Sequence, residues 1–165
     1  MGKRVRLKRG DIFRFEFDEA RFGLGQIVEP GVVFYLTILR APVRPDFNLT
    51  EVNTRDILLC GRTTDAEFYR DRWHVIGNLP VSDDAIPRSC AKVGYGEETW
   101  ITDFDGKRLR PATAFEAEHL DYKTSRSPIL YEEAFKAHHG VGDMKPYYAK
   151  LGIDHMRAQA ALCSR

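Results

Sequence analysis

Cysteine is scarce in this sequence, and its spacing is wide. Cys60, Cys90 and Cys163 are the only three cysteines among 165 residues. An odd number of distant cysteines is not the dense pattern of a small secreted domain held together by disulfides. We therefore expect three reduced thiols, as in a protein of the cytoplasm, with Cys60 packed inside an apolar strand.

Long apolar runs are also missing. The longest nearly apolar stretch, residues 32–39, is short and contains Thr37, whereas a membrane-spanning helix needs about 20 apolar residues. The basic residues near the start of the chain are followed by an alternating pattern and not by the apolar core of a signal peptide. These features predict a cytoplasmic protein without a membrane partner, in which residues 1–9 form a flexible basic tail.

Neither sign of charge dominates. The chain has 25 basic and 24 acidic residues, which gives a formal net charge of +1. A general nucleic-acid binder usually carries a basic excess, and a protein that imitates DNA carries an acidic one. The balance therefore predicts that nucleic acid is not the partner.

The first part of the sequence has the pattern of β-strands. Three phenylalanines alternate with polar residues over residues 11–18, which predicts a half-buried strand. Residues 22–29 are predicted to return beside it, and Gly23 and Gly25 indicate either phenylalanine rings lying over bare backbone or a bend in a curled sheet. Residues 33–39 are predicted to form the next strand, and Asp105-Gly106 a two-residue turn of a later hairpin.

The last part of the sequence has the pattern of helices. Thr113 and Glu116 have the spacing of a capping box, and Ser127-Pro128 precedes a helix predicted to end at Gly140. We predict an α+β fold in one domain of residues 1–165, mainly β over residues 10–110 and mainly α over residues 111–165. The N-terminal antiparallel sheet is expected to be curled and barrel-like, with the C-terminal helices packed on it.

No motif for catalysis or metal binding stands out. His138 and His139 are adjacent, so they point about 100° apart on a helix and cannot form a zinc-binding face. The segment Asp103–Gly106 lacks the later oxygen ligands of a calcium loop. We therefore predict no catalytic residue, metal or cofactor, although a thiol acting with His74 or His119 stays open as an alternative.

The two tryptophans allow two interpretations. Trp73 and Trp100 are the largest side chains in the sequence, and both are expected to anchor the core. The alternative is that one of them is partly exposed as a binding anchor, because tryptophan buries a large area with few torsions.

Three segments resemble one known family. They are Gly10-Asp11-Ile12-Phe13, Gly23-Leu24-Gly25, and Trp73-His74-Val75-Ile76-Gly77-Asn78-Leu79-Pro80. Together with the segment after the late hairpin, they are similar to the immunity protein 26 family over roughly residues 8–122. Trp73, Gly77, Asn78 and Pro80 match the central signature of that family, and we interpret them as structural, as a strand that ends in a tight turn.

The resemblance implies a function. Such a protein is a cytoplasmic antidote, not an enzyme, that blocks the C-terminal toxin domain of a secreted bacterial effector by stoichiometric binding. The toxin is often a nuclease. The irregular segments 40–55 and 81–98 are expected to tailor the choice of partner.

The resemblance also suggests where the partner binds. An inhibitor of this kind needs about 800 Å² of surface on each partner. We expect acidic residues near the predicted turns to meet a basic toxin cleft, and these are Asp18, Glu19, Asp46, Asp83, Asp84, Glu97 and Glu98.

Two other functions stay open at this point. A small curled sheet also occurs in regulatory and nucleic-acid-associated binding modules, because one fold serves many functions. An enzyme with a dispersed cysteine or carboxylate site is the second alternative. The sequence leaves the oligomeric state open.

Overall fold

The computed structural model describes residues 5–163. These residues divide into two compact units, which we call the first unit (residues 5–85 and 125–152) and the second unit (residues 86–124 and 153–163). The single domain over residues 1–165 stays a prediction. Of the predicted basic tail, residues 1–4 lie outside the described residues, whereas Arg9 forms ion pairs with Glu29 and Asp83.

Within residues 5–163 the chain forms eight strands and four α-helices. The strands are β1 (Asp11–Glu16), β2 (Phe22–Glu29), β3 (Val33–Leu39), β4 (Ile57–Thr64), β5 (His74–Asn78), β6 (Ala91–Val93), β7 (Trp100–Thr102) and β8 (Leu109–Pro111). The α-helices are α1 (Ala66–Tyr69), α2 (Ala114–His119), α3 (Pro128–His138) and α4 (Ile153–Cys163). Short 3-10 helices lie at Leu49–Glu51, Asp83–Ala85, Gly96–Glu98 and Pro146–Leu151. The α+β class is confirmed. No helix of the described part of the chain is long and apolar enough to cross a membrane.

The first unit contains an antiparallel sheet with the strand order β4-β3-β2-β1-β5. The first three strands were all predicted, and of these β1 carries the alternation of the sequence whereas β2 and β3 are buried along most of their length. Within the described residues β4 and β5 each pair with one neighbour only, so the sheet is open. The sheet is therefore not closed into a barrel, because a barrel requires the last strand to pair with the first, and its curl stays a prediction.

Two glycines in β2 leave space for phenylalanine rings. Phe13 pairs with Gly25, and Phe15 pairs with Gly23. A Cβ atom at either glycine would overlap the ring of its partner. This confirms the prediction that the rings lie over bare backbone.

An aromatic core lies on this glycine face of the sheet, between the strands and α3. Trp73 is only 2 % exposed and stacks on Phe13 with 4.6 Å between ring centroids. Phe135 of α3 meets Phe15 edge to face at 5.3 Å. As predicted, α3 begins with proline in its first turn and is followed by Gly140, whose φ is +80°.

The opposite face of the sheet is covered by irregular chain. Leu49 lies against Gly77, where a Cβ atom would overlap the leucine side chain. Gln26 donates from Nε2 to the Leu79 carbonyl at 2.9 Å, so residues 79–80 also cross this face. The segment 40–55, which was expected to be irregular, therefore covers part of this side of the sheet through Leu49.

The second unit contains a small antiparallel sheet with the order β6-β7-β8. The predicted hairpin between β7 and β8 is confirmed, but its two-residue turn is wrong. Thr102 pairs with Leu109, so the loop between the two strands is longer than two residues. Asp103 stabilises this loop, since its Oδ1 atom accepts hydrogen bonds from the backbone N–H groups of Lys107 and Arg108 at 2.8 and 3.3 Å. Strand β6 lies in the segment predicted to be irregular. It was not predicted because so short a strand cannot show an alternating pattern.

A disulfide joins Cys90 to Cys163 in the second unit. The prediction of three reduced thiols is therefore wrong for this pair, whereas Cys60 is a buried thiol that forms no disulfide with a described residue. The two cysteines are 73 residues apart in sequence. Their proximity arises because α4 packs beside residues 119–121, where Gln159 Oε1 accepts a hydrogen bond from the Asp121 backbone N–H at 2.8 Å.

The predicted capping box at the start of α2 is confirmed. Thr113 Oγ1 accepts a hydrogen bond from the Glu116 backbone, and Glu116 Oε2 accepts one from the Thr113 backbone, at 3.2 and 3.0 Å. Arg110 also donates to both carboxylate oxygens of Glu116. The bonds from Arg110, followed by the bond from the Thr113 backbone, lower the pKa of Glu116 to about 2.

Replacing Glu116 with glutamine is expected to lower the free energy of unfolding by about 1 kcal/mol at neutral pH, the usual value of such a cap. The pKa of Glu116 is depressed in the folded state, so its charge stabilises the fold above the ordinary value of 4.5 and this stabilisation is lost as the pH falls toward about 2. Urea denaturation across this range should show the difference between wild type and Glu116→Gln shrinking with acid. The control is Glu118→Gln on the same helix, and a difference that is independent of pH would contradict the prediction.

Candidate functional site

The predicted acidic residues lie on several loops and 3-10 helices of the two units. Asp18 and Glu19 lie in the turn between β1 and β2, and Asp46 lies in the loop after β3. The pair Asp83-Asp84 begins a 3-10 helix of the first unit, whereas Glu97-Glu98 lies in a 3-10 helix of the second unit.

Arginines already neutralise three of these carboxylates. Asp83 pairs with Arg9 at 2.6 Å. Asp84 accepts two hydrogen bonds from Arg55, both 2.7 Å long, and they lower its pKa. The pKa of Asp18 is lowered in the same way by Arg21, at 2.7 Å. The pairs of Asp83 with Arg9 and of Asp84 with Arg55 could not be predicted, because their members are distant in the sequence.

Four of the predicted acidic side chains remain available. The carboxylates of this set are exposed and form no hydrogen bond or ion pair with another described residue, and its members are Glu19, Asp46, Glu97 and Glu98. An uncommitted carboxylate attracts a basic partner more strongly than one that already faces an arginine. These four residues are therefore the better candidates among the predicted set.

A groove opens between the sheet and the loop that follows β3. We call it the loop groove, and its volume is about 350 Å³. An antiparallel bridge between Phe22 and Val43 brings the loop beside β2. The apolar lining consists of Leu24, Leu39, Ala41, Val43, Phe47 and Val52.

Polar groups form the remainder of the lining. They are Asn48, Glu51, Asn53 and Asp56. Asn48 caps the 3-10 helix at Leu49–Glu51 by accepting a hydrogen bond from the Thr50 backbone at 3.1 Å, and Asp56 pairs with Arg40. The groove is thus lined by both apolar and polar side chains. The sequence did not indicate this groove, since nothing in the spacing shows which side chains of the loop face the sheet.

The four residues that match the family signature lie in and around β5, and each of them contacts another part of the first unit. Trp73 donates from Nε1 to Glu132 at 2.5 Å, and burial raises the pKa of this glutamate despite the hydrogen bond. Asn78 donates from Nδ2 to the Arg9 carbonyl at 2.9 Å and to Asp11 at 3.0 Å. Gly77 lies under Leu49, and the carbonyl of Pro80 accepts a hydrogen bond from Gln26.

The two tryptophans have different environments. Trp73 is buried in the first unit, whereas Trp100 is 43 % exposed in the second unit. The expectation that both anchor a core is therefore wrong for Trp100. The alternative interpretation, in which one tryptophan is partly exposed, agrees with this exposure.

Two of the histidines considered for metal binding or catalysis pack against other residues of the fold. The ring of His139 lies 2.8 Å from the Arg40 carbonyl, and burial lowers its pKa. His119 stacks on Phe115, with 4.2 Å between ring centroids. Among the described residues, no group of three or more His, Cys, Asp or Glu side chains is placed to hold a metal ion.

A comparison with known proteins identifies the family. The family model of immunity protein 26 matches residues 8–100, a span that contains all five strands of the first sheet. Proteins of this kind act against a toxin. Since the match covers more than half of the sequence, the chain belongs to the immunity protein 26 family. No curated protein and no solved structure matches it.

Proposed function

We propose that this protein neutralises one cognate toxin by binding it in a one-to-one complex that covers the active site or substrate path of the toxin. The partner would be the C-terminal toxin domain of a secreted effector, and binding would take place in the cytoplasm. The single observation that carries the proposal is the family match over residues 8–100. On this proposal the protein is a binder without catalysis or cofactor.

The loop groove is our candidate for the centre of the interface in the first unit. Its lining contains Phe47 and Val52 beside polar side chains. Interfaces commonly place apolar contacts at the centre and polar groups around them. The irregular loop can vary while the sheet beneath it stays the same, which suits proteins that must each match a different toxin.

The available carboxylates support a basic toxin surface, such as the cleft of a nuclease. Asp46 directly precedes Phe47 of the loop groove. Exposed carboxylates would attract a basic cleft and raise the association rate, an effect that salt weakens. Trp73, Gly77, Asn78 and Pro80 would act only as scaffold.

Co-expression tests the proposed function. The toxin domain encoded beside this gene should kill bacteria when produced alone and should be tolerated when this protein is also present. Titration calorimetry with the purified proteins should give a one-to-one complex. Survival without protection, or no heat of binding, would contradict the proposal, and a shifted DNA duplex at moderate salt would favour the nucleic-acid-associated alternative.

Reversing the charges of Glu97 and Glu98 is expected to weaken toxin binding about tenfold, mainly through slower association. These side chains are exposed and pair with no other described residue, so Glu97→Lys with Glu98→Lys should leave the fold intact. The matched control is Glu118→Lys with Asp154→Lys, two exposed acidic residues of the same unit.

Asp83 and Asp84 need a separate variant because they hold Arg9 and Arg55. Asp83→Lys with Asp84→Lys should also reduce affinity, and a parallel denaturation curve shows whether the loop is disturbed. Unchanged affinity in both double variants would refute the role of the acidic residues.

A further inference from the structure

A second groove, within the second unit, has the opposite electrostatic character. We call it the hairpin groove because the loop between β7 and β8 forms one side of it, and its volume is about 670 Å³. Its lining contains four cationic side chains, which are Arg88, Lys107, Arg108 and Arg110. Among the described residues of that lining, Asp103 is the only one with a carboxylate.

Two of the cations have partners among the described residues, and the other two form no ion pair with any of them. Arg110 pairs with Glu116, and Arg88 lies over the Phe104 ring, 5.1 Å from its centroid. Lys107 and Arg108 are exposed, and their side chains form no ion pair with another described residue. The negative charge of Asp103 is already directed at the backbone N–H groups of the same two residues. Lys107 and Arg108 therefore form a positive edge of the groove with which no described carboxylate pairs.

Apolar side chains lie beside this positive edge. Leu109 directly follows Lys107 and Arg108 in the sequence, and its side chain is 62 % exposed. Ile101 and Phe104 form buried parts of the lining. A ligand that fits this groove combines negative charge with an apolar side chain.

We propose that the hairpin groove binds an acidic segment of the toxin, in which one or two carboxylates flank a large apolar side chain. The carboxylates would pair with Lys107 and Arg108, and the apolar side chain would cover Leu109. This inference rests on the proposed function, and it names the chemistry of one contact that toxin binding makes. The positive charges of this groove would complement the negative charges of the acidic residues proposed above. A partner that must match both a positive and a negative region can dock in one orientation only.

The groove suits a protein segment better than nucleic acid. Binding to a phosphate backbone usually requires several uncommitted cations along a continuous track. Within the described residues the hairpin groove offers two such cations, and an exposed leucine follows them. A phosphate gains nothing from contact with a leucine side chain, whereas an apolar residue of a peptide does.

Charge reversal at the two cations tests the inference. Lys107→Glu with Arg108→Glu is expected to raise the Kd for the purified toxin domain at least about tenfold and to flatten its dependence on salt. The matched control is Arg6→Glu with Lys8→Glu, one arginine and one lysine that are exposed in the first unit. The control should stay within about twofold of wild type, since isolated surface charges contribute little.

Hydrogen exchange gives a second measurement that needs no variant. Amides of residues 101–110 should exchange more slowly in the toxin complex than in the free protein. Wild-type binding with an unaffected double variant and unprotected hairpin amides would overturn the groove assignment and leave the proposed function intact. Failure of the wild-type protein to bind the toxin would overturn both. A DNA duplex that binds wild type and is released by Lys107→Glu with Arg108→Glu would assign the groove to nucleic acid and overturn the proposal.

Discussion

Replacing Trp73 with alanine is expected to lower the free energy of unfolding by about 3–5 kcal/mol, the usual cost of removing a large aromatic side chain from a core. Trp73 is 2 % exposed, and its ring contacts those of Phe13 and Phe68. Alanine would leave a cavity between these rings, and it would also leave the buried Glu132 carboxyl without its indole donor. Urea denaturation followed by circular dichroism measures the loss.

Two further variants separate the contributions at this position. Trp73→Phe should recover most of the packing but not the hydrogen bond to Glu132, so its stability should lie between those of wild type and Trp73→Ala. Trp100→Ala, at the half-exposed tryptophan, should cost less than about 1 kcal/mol. Equal losses for Trp73→Ala and Trp100→Ala would contradict the assignment of Trp73 to the core.

Replacing Cys163 with serine is expected to cost about 4 kcal/mol of stability under oxidising conditions. The disulfide from Cys90 closes a loop with a sequence separation of 73, and a cross-link over such a length removes much of the entropy of the unfolded chain. The expected loss is largest for α4, whose last residue is Cys163.

A reducing agent provides the control for this variant. Dithiothreitol should lower the stability of the wild-type protein to that of Cys163→Ser and should have no effect on Cys163→Ser itself. Mass spectrometry after alkylation of the unfolded, oxidised protein should find a single modified cysteine, Cys60. Three modified cysteines would show that the bond does not form.

The strands of the first unit could be predicted because each carries a local pattern. Alternation places Phe13 and Phe15 on one side of β1, and Gly23 and Gly25 reveal where their rings lie. The capping box at Thr113 is likewise local, since donor and acceptor are three residues apart. Patterns of this kind are complete within one segment of the chain.

The features that sequence reasoning missed depend on residues that are distant in the chain. The disulfide joins residues near the middle and the end of the sequence, and the pair Arg55–Asp84 joins two irregular segments. Similarly, both grooves depend on how loops fold back on their sheets, and this is decided by tertiary packing. The acidic residues were therefore predicted as bare charges although Asp83 and Asp84 face arginines.

The two sides of the first sheet differ in how freely they can change. The aromatic side interlocks rings with glycines, so almost any enlargement there is costly. On the other side, three contacts hold the covering segment of residues 40–56 in place. They are Leu49 against Gly77, the hydroxyl groups of Thr54 and Ser82, and the ion pair of Arg55 with Asp84. Lengthening such a covering segment adds little entropic cost. A grafted loop of foreign sequence, anchored at the same three points, should therefore give the scaffold a new recognition surface without rebuilding its interior.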